Sequence, residues 1–215
     1  MRFLIIALIG IAGSAGLANA QEARPAAKMS TLFDGLGDFL AIPNSDRSHL
    51  EMDYVVSADD PALKDFGLWI EPDGKRIDLP RDELGRIDVS EIAPYLDADP
   101  MVMTTLPKGG GAINAEPTPK LDLSGPVPVV DINTSIEQVN LVIRKKAGPL
   151  SMVAPKMKGV IFFVSPETTG VVQKTDGSEQ VLAVENDRIT FRPGETTGAA
   201  RLVFSQPPIK DIFTD

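Results

Sequence analysis

The chain of 215 residues has no cysteine. Disulfides and thiolate chemistry are thereby excluded, and a packed core must hold the fold. There is one histidine, His49, and one tryptophan. A zinc site needs three or four N, S or O ligands, so this inventory leads us to expect no metal or cofactor. Bases are outnumbered, with 21 Lys and Arg against 30 Asp and Glu and a net charge of −9. That balance disfavours nucleic acid and anionic lipid, which are both bound through basic side chains. Gly-x-Ser-x-Gly, Ser-x-x-Lys and His-Glu-x-x-His are absent.

Apolar runs long enough for a membrane span are also missing. The one extended run, residues 3–11, follows Arg2, is broken by Gly10, Gly13 and Gly16, and leads to Ala18-Asn19-Ala20. This is the pattern of an export signal cleaved between Ala20 and Gln21. We therefore expect residues 1–20 to be removed and the rest to be exported, periplasmic or extracellular, with no transmembrane segment. Removal takes away one base and no acid, which makes the mature chain slightly more acidic.

What remains is patterned. Residues 21–29 read as a flexible lead-in. Leu32, Phe33, Leu36, Phe39 and Leu40 share one helical face behind Ser30 or Thr31, with Pro43 as a stop. Residues 50–56 alternate apolar and acidic, as a half-buried strand does. A hairpin follows: strand 66–71, the turn Pro72-Asp73-Gly74, and a return over 76–79. Leu84-Gly85 turns into residues 86–89, Pro94 limits any helix over 90–96 to about one turn, and 101–106 is a further strand. Together, residues 30–113 form a β-rich N-terminal half.

Pro117, Pro119, Pro126 and Pro128 make residues 114–130 an extended connector. The C-terminal half, 131–215, opens with the capping-box pattern Thr134-Ser135-Ile136-Glu137 and a helix closing at Gly148-Pro149. Val139, Leu141 and Ile143 also alternate, which keeps a strand as the rival reading. The most apolar run, residues 160–164, reads as a strand buried on both faces. Four short runs near 171, 181–184, 189–191 and 199–204 then suggest an antiparallel meander ended by Pro207-Pro208. The fold class expected is α+β, an antiparallel sandwich-like assembly with two packed helices; an all-β sandwich is the alternative.

Three echoes link the halves: residues 68–72 with 162–166, 86–89 with 188–191, and 111–112 with 198–199. Duplication and shared turn chemistry both account for them.

Candidate sites are few. Lys108, Gly109, Gly110 and Gly111 form a glycine-rich loop with contact potential, although the P-loop order is not present. Asp59-Asp60, Asp82-Glu83, and Asp97 with Asp99 offer carboxylate pairs in loops. His49 shares a strand face with Glu51 and Asp53 and is expected to stand in water. No catalytic centre is expected. His49 within hydrogen-bond reach of a serine or carboxylate inside a concave pocket would overturn that. The function expected is a non-catalytic exported binding or envelope module with a protein partner. A carboxylate-dependent glycan-acting enzyme and a carrier of small apolar ligands are the alternatives. Two carboxylates converging in a cleft would mark the enzyme, an internal apolar pocket the carrier, and a bare sheet edge or apolar patch the module.

Overall fold

Alternation of apolar side chains puts Leu50, Tyr54 and Val56 on the buried side of strand β2 (Leu50–Ala58), with Glu51 facing out. The same rule builds the rest of the computed structural model, which describes residues 22–148 and 154–215. The N-terminal half contains β1 (Arg24–Lys28), β2, β3 (Leu68–Ile70), β4 (Ile77–Asp78), β5 (Arg86–Ile87), β6 (Met101–Thr104) and β7 (Gly111–Pro119). Its helices are short: α1 (Met29–Leu32), α2 (Leu36–Leu40) and α3 (Val89–Ile92). The C-terminal half contains β8 (Val127–Pro128), α4 (Val129–Ala147), β9 (Gly159–Phe163), β10 (Gly170–Lys174), β11 (Glu179–Leu182), β12 (Arg188–Phe191), β13 (Ala199–Phe204) and β14 (Lys210–Thr214).

These strands form four antiparallel sheets, ordered β1-β6-β3-β4 and β5-β2-β7 in the first half, β8-β13-β10-β11 and β12-β9-β14 in the second. The fold is α+β and sandwich-like. It is also one topology used twice. Taken in chain order, β1 to β7 pair with one another as β8 to β14 do, and in each half the helical segment lies between the first and second strands. Register agrees: Arg86 and Ile87 oppose Val55 and Tyr54, while Arg188 and Ile189 oppose Phe163 and Phe162. The echo between 86–89 and 188–191 therefore marks equivalent positions. The other two echoes do not, because β3 corresponds to β10 rather than β9, and β7 to β14 rather than β13.

Several expectations are corrected. The lead-in contains β1, tied at one end by Arg24, which donates to the carbonyls of Leu106 and Pro107. The first helix is broken in two at Gly35, where φ of +80° suits glycine. The Pro-rich connector is strand as far as Pro119, because β7 runs along the edge of its sheet, where proline is tolerated. The long helix starts at Val129, not at the capping box. The Thr134 hydroxyl instead bonds back to the Val130 carbonyl within the helix. The strands after β9 are divided between two sheets rather than running as one meander, with only β10 and β11 pairing as consecutive neighbours, and β14 lies beyond Pro207-Pro208.

Each half has its own core. Met29, Phe33, Leu36, Tyr54, Ile70, Ile92 and Val102 centre the first, and Ile132, Val160, Phe162, Val172, Ile189 and Leu202 the second. A third cluster joins them: Phe39 and Leu50 from the first half pack with Val139 of α4, flanked by Phe213 of β14. The edge strands β7 and β14, which are equivalent positions in the two halves, lie beside each other at this junction. Among the described residues, no helix is long and apolar enough to cross a membrane.

Candidate functional site

The junction leaves a cleft. Its walls come from β2 and its approach (Ser48, His49, Glu51), from the end of β7 and the segment after it (Thr118, Lys120, Asp122), and from β14 (Lys210, Asp211). The cleft encloses about 490 Å³ and adjoins a groove of about 620 Å³, and the two share Glu51, Arg86 and Lys120. Behind them, a recess of about 70 Å³ is bounded by Asp53, Arg86, Glu116, Thr118 and Asp211. The Lys120 amide donates to the His49 carbonyl at 3.0 Å, which continues the β2–β7 ladder into the cleft and sets these two residues side by side. Gln138 of α4 pins the same Ser48–His49 wall from behind the strand's start. Its carbonyl oxygen accepts from the His49 amide at 2.8 Å, and its amide nitrogen donates to Ser45 O and Ser48 Oγ, both at 3.0 Å.

Arg86 organises the charges. Its Nε donates to Asp82 Oδ2 at 2.7 Å, and its other end faces Asp53 Oδ2 at 3.6 Å. Burial pushes Asp82 upward, but hydrogen bonds from the Arg86 backbone and guanidinium outweigh it and leave the carboxyl below its ordinary range. For Asp53 the balance is reversed: burial outweighs Arg86 and Thr118, and its pKa rises. Glu51 pairs with Lys120 at 3.2 Å. Asp211 has no such counterpart. It is 9% exposed, and its Oδ2 is buried without a hydrogen-bond partner. Burial pushes its pKa up to about 7. Its own backbone opposes that, while Asp53 and Glu51 add to the rise and Arg86 counters it.

His49 does not stand free in water. Ser48 Oγ lies 3.0 Å from its Nδ1, and Asp131 Oδ1 lies 3.6 Å from its Nε2, all three in the cleft. That geometry meets the condition named from the sequence for reconsidering His49. The row is incomplete as hydrolytic machinery. The His49 amide is taken by Gln138, whose own NH2 is taken by Ser45 and Ser48, so neither is left for a developing oxyanion.

The residues named from sequence lie mostly elsewhere. Lys108, Gly109, Gly110 and Gly111 form the β6–β7 turn, where the Gly110 amide donates to Pro107 O, and none of them lines the cleft. A side chain at Gly111 would sit 2.4 Å from Ser57 O, so that glycine serves strand approach rather than a ligand. Two of the loop carboxylates have local work: Asp60 caps the turn at Ala62, and Asp99 accepts from the Ser30 amide and Lys28. Of all the loop carboxylates, Asp82 alone reaches the site, through Arg86. The cleavage pair Ala20 and Gln21 lies outside the described residues. Glu51 and Asp211 line the same cleft but lie 160 positions apart in the chain, and no local motif links them. Among the described residues, no three His, Asp or Glu side chains are grouped to hold a metal ion, and the apolar-lined cavity beside β1 is only about 80 Å³. Comparison with protein-family models, curated proteins and solved structures returns no match.

Proposed function

We propose that this chain is an exported binding module of the cell envelope whose ligand-facing surface is the cleft between its two halves. The observation that carries this reading is the Asp211 carboxyl, buried at the cleft with an oxygen left unmatched. A fold keeps a buried acceptor without a donor at a cost of about 1–3 kcal/mol, and such a group is a ready contact for a ligand. Export rests on the N-terminal signal pattern. The test is an amide-detected NMR screen of the protein with solutes of distinct classes: amines, carboxylates, sugars and uncharged alcohols. At least one class is expected to shift Glu51, Arg86, Thr118 and Asp211 together and saturably. Shifts scattered over the surface, or none, defeat the reading.

One observation favours a second reading. Ser48, His49 and Asp131 form a row in which the imidazole stands between a hydroxyl and a carboxylate, as nucleophilic hydrolysis requires. A fluorophosphonate probe that labels the protein, and fails to label Ser48→Ala, would favour hydrolysis. An unlabelled protein leaves binding as the reading.

A further inference from the structure

Resting on the cleft reading above, we propose that the ligand presents a protonated alkylamine whose ammonium head seats in the recess against Asp211. The cations already present are engaged elsewhere. Arg86 holds Asp82 at 2.7 Å and faces Asp53, Lys120 holds Glu51 at 3.2 Å, and Lys210 stands 4.7 Å from the Phe163 ring centre. Around the recess, the acids Asp53, Glu116 and Asp211 outnumber the bases Arg86 and Lys210, with Glu51 and Lys120 at the rim. Acid is thus in excess, and Asp211 is the carboxylate buried without a donor. A buried unpaired carboxylate either takes a proton or takes a cation, and a cation that also donates hydrogen bonds satisfies both its charge and its lone pairs.

Size favours a small cation. With about 70 Å³, the recess suits the compact, strongly hydrated point charge of an ammonium. Val55, Leu84 and Ile212 supply an apolar wall for the methylenes behind it. An anionic group would meet the excess acid, and a neutral hydroxyl would leave the charge unmatched.

A free diamine and the side chain of a lysine in a peptide share this chemistry. The test titrates the protein with putrescine, Nα-acetyl-lysine methylamide, 1-butanol and butyrate, with Thr118, Asp211 and Ile212 amides as the NMR readout. Saturable shifts from an amine are expected, with Kd of about 1 mM or tighter, and none from the alcohol. The tighter of the two amines identifies the source. Affinity falls about tenfold between pH 8 and pH 6 as the carboxyl takes its proton. Asp211→Asn, which keeps the size, abolishes the shifts while the rest of its spectrum is unchanged. No saturable shift from either amine, or undiminished binding by Asp211→Asn, overturns the proposal. If butyrate or 1-butanol moves the same amides instead, the ligand class falls and the cleft stands. If no solute does, both fall.

Discussion

At the scale of single residues, Asp211 is the charge that the fold pairs least well. Its neighbours are the acids Glu51, Asp53 and Glu116 and the bases Arg86 and Lys210. With its folded pKa raised to about 7, the native state keeps a proton that the unfolded chain loses near its ordinary value of about 4. Stability contributed by this group is therefore full below about pH 4 and declines as pH rises to about 7. Asp211→Asn removes that decline. It should raise stability by about 2–4 kcal/mol at pH 8 and change little at pH 4, as measured by urea unfolding at both. Equal effects at the two pH values would contradict the assignment. Glycine acts at this scale too. Gly85 has φ of +80°, and an added Cβ would lie 2.7 Å from Val56 O, so Gly85→Ala should cost about 2 kcal/mol or more in the same measurement.

At the scale of elements, α4 matters most, because it bridges the halves. Gln138 makes three hydrogen bonds to the Ser45–His49 approach, and Asn140 exchanges two with Met157, at 2.8 and 2.9 Å. Gln138→Ala leaves the His49 amide and Ser45 carbonyl without partners. It should lower stability by about 2–3 kcal/mol and broaden the Ser48 and His49 amide signals. A stable variant with an unchanged spectrum would show that the cleft wall is held by other means. Much at this scale was legible from sequence. The alternation at 50–56 gave β2, the apolar run at 160–164 gave β9, and the Asp73-Gly74 turn appears with positive φ at both residues. What was missed has physical causes. Residues 24–28 have no apolar alternation, since β1 is an edge strand with its middle exposed. The capping box at Thr134 failed because Pro128, Val129 and Val130 had already begun the helix upstream. β14 hid behind two prolines and a polar end, although Ile212, Phe213 and Thr214 have strong strand propensity.

At the scale of the molecule, the chain is two like halves joined through their equivalent edge strands β7 and β14 and through the Phe39–Leu50–Val139 cluster. The site arises from that joining, with Asp53 and Arg86 from one half and Asp211 from the other. This is why sequence alone did not reveal it: Arg86 and Arg188 echo as motifs, but nothing local places β14 beside β7. The joining cluster of Phe39, Leu50 and Val139 should make the halves unfold together. Trp69, the single tryptophan, reports only the first half, whereas far-ultraviolet circular dichroism reports both. The two transitions in urea should coincide, and separate midpoints would show that the junction contributes little. The most direct test of the central claim, that the halves meet around an unmatched buried carboxyl, is a carbon-detected NMR titration of the Asp211 side chain. A midpoint near pH 7, falling only slightly in Asp53→Asn because burial is the main cause of the rise, is the predicted result. A midpoint near pH 4 in the unaltered protein would contradict it.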